Sequence, residues 1–152
     1  LRLEIPDVLV KIVGSGPYAD QLKRLARRLN VDSNVEFLSV PAAQRGELLT
    51  IMQQADVVIS MSEYESQGLS VLEALALGRP VLVADRAALG ELGKLSGVQV
   101  VPPRCSRSEL ASIIVLALAA DDRRLAEISL PRWDEVVDRL LDVYADAVDC
   151  DH

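Results

Sequence analysis

The chain has 152 residues, room for one full-sized domain, and half of them are hydrophobic while aromatics make up 3%, so its core is aliphatic and needs neither disulfides nor a structural metal. A formal net charge of -7 excludes a nucleic-acid binder held by bulk positive charge and argues against docking on an anionic membrane surface; the apolar content excludes disorder. No apolar run reaches membrane-spanning length and no basic-then-apolar leader opens the chain, while Leu1 in place of an initiating Met points to residues removed upstream.

In chain order, Val8 to Val13 reads as a buried strand stopped by Gly14-Ser15-Gly16-Pro17. Tyr18 to Leu29 has helical spacing, with Leu22, Leu25, Ala26 and Leu29 expected on its inward face, and Asn30 with Asp32-Ser33-Asn34 ends it. Val35 to Leu38 is a short strand, Glu47 to Ala55 a helix turning Leu48, Leu49, Ile51 and Met52 inward, and Val57 to Ser60 a third strand. Leu69 to Leu77 is a helix closed by Gly78 and Pro80. Val81 to Ala84 and Val98 to Val101 are the fourth and fifth strands. Ser106 or Ser108 caps a helix running through Ala119, a short helix follows from Asp122, and a long amphipathic one covers Trp133 to Val148.

Near-continuous apolar strands alternating with helices predict an α/β fold: a Rossmann-like, doubly wound parallel sheet covered on both faces. The joint at Ser129 to Arg132 divides it into a body, residues 1–130, and a terminal helix and tail, residues 131–152. Cys105 and Cys150 lie far apart with no partner ligands nearby, and the lone histidine is the terminal His152. This predicts a reduced, cytoplasmic protein with no metal site.

In such folds ligands sit beyond the carboxyl ends of the strands, which selects the loops Gly14–Pro17, Ser60–Gly68 and Asp85–Gly90. Gly14, Gly16 and Ala19 fit G-x-G-x-x-A, a dinucleotide pattern. Pro17 removes one of the N–H groups a pyrophosphate would use, and no acid ends the second strand, where Phe37-Leu38-Ser39 stands. A tight turn without a ligand and a turn lining a nucleotide cleft both fit.

The segment Ser62 to Pro80 says more. Its helix is apolar nearly all round, with Ser70 and Glu73 as its polar residues. A carboxylate there needs a partner or a cleft. Helical side chains lean toward the N-terminus, so Glu73 projects back toward the rim, where the N–H groups at Gly68, Leu69 and Ser70 favour an anion. A phosphate site with a carboxylate one turn deeper suits a nucleoside diphosphate; a structural bond from Glu73 to a buried backbone N–H is the competing reading.

Glu65 and Glu73 stand in an E-x7-E arrangement, within Glu65-Ser66-Gln67-Gly68-Leu69-Ser70-Val71-Leu72-Glu73-Ala74 and before Gly78-Arg79-Pro80-Val81. This resembles the signature of family-4 retaining glycosyltransferases of the GT-B architecture. Val13 to Pro17, Val35 to Leu38, Ala55-Asp56-Val57, Asp85 to Leu92 and the helix from Trp133 resemble further parts of that family, so the likeness covers most of the chain.

The resemblance implies half of a GT-B architecture: the donor-binding, C-terminal lobe of an enzyme that moves a hexosyl group from a nucleotide-sugar to an acceptor, with the N-terminal acceptor lobe missing here. It implies that Glu73 holds the ribose and that Glu65 lies beside the transferred sugar as the catalytic-site acid. Amides of Ser66, Gln67, Gly68 and Leu69 would contact phosphate and sugar, Ser39 and Val40 would line the base, and Gly14 and Gly16 would line the cleft. Neither a metal nor another cofactor is implied, and no protein base, since the leaving phosphate helps deprotonate the acceptor. The family's phosphate-binding Arg and Lys would lie upstream of Leu1. Ser66-Gln67-Gly68 departs from the usual Gly-Phe-Gly, and Ser66 would pay roughly 1 kcal/mol if its backbone were left-handed. Ser39 replaces a common Gly. The alternative functions are a non-catalytic α/β interaction module docking through the terminal helix, and an NAD-dependent enzyme resting on the Gly14 turn.

Overall fold

The computed structural model describes residues 1, 5–120 and 132–149. Strands and helices alternate as β1 (Val10–Val13), α1 (Ala19–Arg28), β2 (Val35–Leu38), α2 (Arg45–Gln54), β3 (Val58–Ser60), α3 (Leu69–Ala76), β4 (Val81–Ala84), α4 (Ala87–Leu92) and β5 (Val98–Val101), followed by α5 (Arg107–Ala119) and α6 (Trp133–Asp149). Single 3-10 turns at Asp32–Asn34 and Ala42–Gln44 lead into β2 and α2. The short helix expected from Asp122, the 130/131 boundary, and the terminal Cys150 and His152 lie outside the described residues.

Among the described residues all pairings between the strands are parallel, as helical crossovers require. They form two ladders: β1 with β2, register Val10↔Val35 to Val13↔Leu38, and β3–β4–β5, register Val58↔Val81 and Val81↔Val98. The α/β class is as expected. So is the parallel pairing, here divided between a two-stranded and a three-stranded ladder.

The core sits around β4, which is paired on both sides. Val71, Ala74 and Leu75 of α3, Val81 and Val83 of β4, and Leu89 of α4 form one buried cluster, with Val58, Leu92, Leu95, Val98 and Val100 packed against it. It is aliphatic throughout, as the composition requires. Gly78 ends α3 at φ 70°: its N–H donates to Leu75 O at 2.8 Å and Arg79 N–H to Ala74 O at 2.9 Å, the paired bonds of a Schellman stop. Pro80 then leads into β4.

The other half is thinly packed. On α1, Ala26 is buried, but Leu22, Leu25 and Leu29 are exposed, contrary to the inward face their spacing predicts. The spacing identifies an apolar stripe; burial also needs a layer beneath it, and here that layer is two strands wide. On α2 the inward set holds, Leu48, Leu49, Ile51 and Met52 being half-buried. Ser106 caps α5: its Oγ accepts from Glu109 N–H at 3.2 Å while Glu109 Oε2 accepts from Ser106 N–H at 2.6 Å, a closed capping box. Along α6, Trp133, Val137, Leu140, Tyr144 and Val148 form an exposed apolar stripe.

Candidate functional site

The carboxyl ends of β1, β2, β3 and β4 deliver the loops that the sequence singles out. Gly14 has φ 153° and its N–H donates to Leu38 O at 2.9 Å, prolonging the β1–β2 ladder by one rung. Gly16 C=O accepts from Ala19 N–H at 3.2 Å and so starts α1. Ser39, exposed, and Val40, half-buried, follow β2 directly.

The start of α3 is the most tightly specified point. Gly68 is buried in the left-handed region, φ 70° and ψ 40°. A Cβ there would come within 2.6 Å of Leu92 Cδ1 and 3.5 Å of Leu89 Cδ2. Glycine is therefore required twice, by conformation and by the close approach of α4. The first intrahelical bonds run from Val71 and Leu72 N–H to Gly68 C=O. The N–H groups of Leu69 and Ser70 thus precede the ladder, at the positive end of the helix dipole.

Glu65 is half-buried and folds onto its own loop, accepting from Ser66 N–H at 3.1 Å and Gln67 N–H at 3.5 Å. Two of the amides expected to face a phosphate are thus engaged by the first acid of the motif. Ser66 carries no positive φ, so the cost anticipated for its Cβ does not arise; Gly68 alone takes the left-handed turn of this loop.

Glu73, one turn into α3, pairs through Oε1 with Arg45 Nη2 at the first position of α2. The carboxylate side chain is 21% exposed and the guanidinium 56%. The partner that a carboxylate in an apolar helix requires is a side chain at the rim rather than a buried backbone N–H. Arg45 was not among the expected site residues. Its signal in the sequence is a lone cation between the neutral stretch Val40 to Gln44 and a helix. Across the rim, Arg86 Nη1 lies 3.4 Å from Glu63 Oε1, both solvent-exposed, and the chain then turns through Ala87 at φ 45°. Gly90 leaves room for Asp85, whose Oδ1 would stand 2.8 Å from an added Cβ.

The rim is open rather than enclosed. A shallow cavity of about 630 Å³ lies instead between the end of β5 and α5, lined by Pro102, Arg104, Cys105, Ser108, Glu109, Ser112 and Ile113. It touches neither acid of the motif. Among the described residues no group of three or more His, Cys, Asp or Glu could hold a metal ion, and no helix is long and apolar enough to cross a membrane.

Residues 1–126 match the family model for glycosyl transferases group 1. The chain is 31% identical over 151 residues to alpha-monoglucosyldiacylglycerol synthase of Streptococcus pneumoniae, which takes in 93% of the chain and 32% of that protein. It is 33% identical over 136 residues to D-inositol 3-phosphate glycosyltransferase of Rhodococcus erythropolis, 84% of the chain and 30% of that protein. The crystal structure of WaaG, a glycosyltransferase involved in lipopolysaccharide biosynthesis, superposes with a TM-score of 0.65 at 25% identity, covering 77% of the chain and 30% of its own. The chain therefore spans about a third of the length of these relatives. The family model covers most of the chain, the relatives agree with it in kind, and the chain belongs to the glycosyl transferases group 1 family.

Proposed function

We propose that the chain is the donor-binding, C-terminal half of a retaining family-4 glycosyltransferase, holding a nucleotide-sugar whose hexosyl group passes to an acceptor bound by a separate lobe. Glu73 accepts hydrogen bonds from the ribose diol. The start of α3, at Gly68 and Leu69, faces the diphosphate, and Glu65 lies beside the sugar with its loop of Ser66 and Gln67. Ser39 and Val40 line the base, and Gly14 and Gly16 the cleft between. The observation that supports this best is the position of Glu73: a half-buried carboxylate at a rim, one turn beyond a helix start whose first N–H groups precede the helical ladder.

The chemistry follows from those roles. A carboxylate bonded to two hydroxyls contributes about 1.5–3 kcal/mol per bond, enough to fix the nucleoside. The helix dipole offsets part of the diphosphate charge, and more so as the anomeric bond breaks and charge builds on the leaving oxygen. That oxygen takes the acceptor proton on the same face, so no side-chain base or metal is required. Transfer also needs the acceptor held against the anomeric carbon; the isolated chain therefore binds donor and transfers little. A cytoplasmic location belongs to the same proposal.

A ligand panel tests the reading. UDP, GDP, ADP or their sugar conjugates should raise the melting temperature, at least one of them at millimolar concentration, while NAD should not. Glu73→Ala should abolish the shift yet stay folded. Stabilisation by NAD alone, or by nothing at millimolar ligand, would count against donor binding. The exposed stripe on α6 supports a second reading, a docking face, which a donor lobe shares with a non-catalytic module; absence of any nucleotide effect would favour the module.

A further inference from the structure

Arg45 stands where folding alone gives little reason for a cation. It is the first residue of α2, at the positive end of that helix's dipole, where an acidic side chain is favoured and a basic one is not. Gln44 before it makes no side-chain cap. A Cβ added to Gly46 would meet nothing within 4 Å, so the space beside Arg45 is open. The guanidinium nevertheless reaches across the rim to Glu73, 28 positions along the chain, with 56% of its side chain still exposed. An exposed pair adds little to stability, so the chemistry it offers a ligand carries more weight. A carboxylate only accepts hydrogen bonds and a guanidinium only donates them. The contact of Arg45 Nη2 with Glu73 Oε1 leaves Oε2 on one partner and further N–H groups on the other for a third group. A hydroxyl both donates and accepts, so an acid and a cation side by side match it in a way that neither does alone.

Chain order selects the hydroxyl, given that Glu73 holds the ribose, the reading on which this proposal rests. Ser39 and Val40, assigned above to the base, lead through Pro41 and the 3-10 turn Ala42–Gln44 directly into Arg45. Gly68 and Leu69, assigned to the diphosphate, lead into Glu73. Arg45 therefore approaches a ribose from its base side and Glu73 from its phosphate side. The 2′-hydroxyl stands beside the carbon that bears the base, and the 3′-hydroxyl one carbon further away. We propose that Arg45 is a specificity-determining residue of the donor site, its guanidinium donating to the 2′-oxygen while Glu73 accepts from both hydroxyls. The ion pair holds the guanidinium at the rim, so the two side chains work as one unit. A 2′-deoxy nucleotide then leaves a charged donor without its acceptor, which a 3′-deoxy nucleotide does not, and an unpaired charged group is the costlier loss. A lock, in which Arg45 must leave before a ribose enters, fits less well, because the contact engages a single carboxylate oxygen.

Calorimetry with UDP, 2′-deoxy-UDP and 3′-deoxy-UDP, or the guanosine series if that binds, tests the proposal. The unmodified chain should lose about tenfold more affinity on removal of the 2′-hydroxyl than of the 3′-hydroxyl, the worth of one added charge-assisted hydrogen bond. Arg45→Ala should bring the two losses within about twofold of each other, with the 3′ loss unmoved. Equal losses in the unmodified chain, or a 2′ excess that survives Arg45→Ala, would overturn the proposal. So would both losses shrinking together, which marks Arg45 as a mere support for Glu73, or tighter UDP binding by Arg45→Ala, which marks it as a lock. If Arg45→Ala melts before it can be titrated, Arg45→Gln, of similar length and uncharged, decides on the same terms. Glu73→Gln separates this inference from the reading beneath it. Should Glu73→Gln leave both losses intact, or should no nucleoside diphosphate bind at millimolar concentration, the ribose reading fails and the role of Arg45 with it. Should Glu73→Gln reduce both losses while Arg45→Ala leaves the 2′ excess standing, the role of Arg45 alone fails.

Discussion

Gly68 and Glu73 lie five residues apart and are required by different physics. Gly68 serves the fold: its φ of 70° and the 2.6 Å approach of Leu92 to an added Cβ leave no space for a side chain. Gly68→Ala should destabilise the chain by about 2–4 kcal/mol, combining a left-handed backbone with an overpacked contact, measurable as a lower denaturation midpoint at unchanged slope. Glu73 serves the rim. Its ion pair with the half-exposed Arg45 is screened by water, and pairs of that kind contribute about 0–1 kcal/mol. Arg45→Ala should therefore lower stability by less than about 1 kcal/mol; a loss above about 3 kcal/mol would mark the pair as a buried structural element instead. The E-x7-E spacing made both acids legible in the sequence. Arg45 was not, because a lone arginine on a helix is ordinarily a solvated residue. Nor was the turn of Glu65 onto the Ser66 and Gln67 amides, which depends on loop geometry.

At the scale of elements, all five strands and the helices α1, α2, α3, α5 and α6 fall where periodicity and punctuation put them, with ends moved by one or two residues, while α4 is anticipated only by the family resemblance. The failures are the inward face of α1 and the buried reading of the first strand, since Val10, Lys11 and Ile12 of β1 are exposed and Val13 is only half-buried. Periodicity reports an apolar stripe but not whether a sheet lies beneath it, and for Leu22, Leu25 and Leu29 it does not. The α5 start shows the reverse case, a local device readable from four residues. Ser106→Ala should cost about 1 kcal/mol, the usual worth of such a cap. Bonds to Ser106, first from its backbone N–H and then through its side chain, hold the Glu109 carboxyl below its ordinary value. A depressed folded value contributes stability that is complete above the unfolded value, about 4.3, and is lost as pH falls through the folded one. Helix content should therefore drop in acid by a component that Glu109→Gln removes, seen by circular dichroism as the pH is taken from about 5, just above the ordinary carboxylate value, down to about 2.

Across the whole molecule, packing is lopsided. The buried cluster is drawn from residues 71–89, and its half-buried neighbours from residues 58–100. From residues 10–54, Ala26 is the one buried member among the described residues. Local stability follows buried apolar contacts, so limited proteolysis should cut within α1 or the Asn30 loop well before it reaches β4. Nothing in the residue pattern announces this imbalance, since strands of similar composition stand in both halves; it comes from pairing, which a linear sequence does not state. The same imbalance bears on binding, because part of the rim is carried by the weaker half.

Calorimetry with paired ligands decides whether Glu73 recognises the ribose of a nucleoside diphosphate, as proposed. UDP or GDP, whichever binds, is compared with its 2′,3′-dideoxy counterpart on the unmodified chain and on Glu73→Gln. The unmodified chain should prefer the ribose form at least tenfold, about 1.4 kcal/mol, and Glu73→Gln should reduce that preference to less than about threefold. Equal preference in the two proteins would contradict the assignment of Glu73 to the ribose.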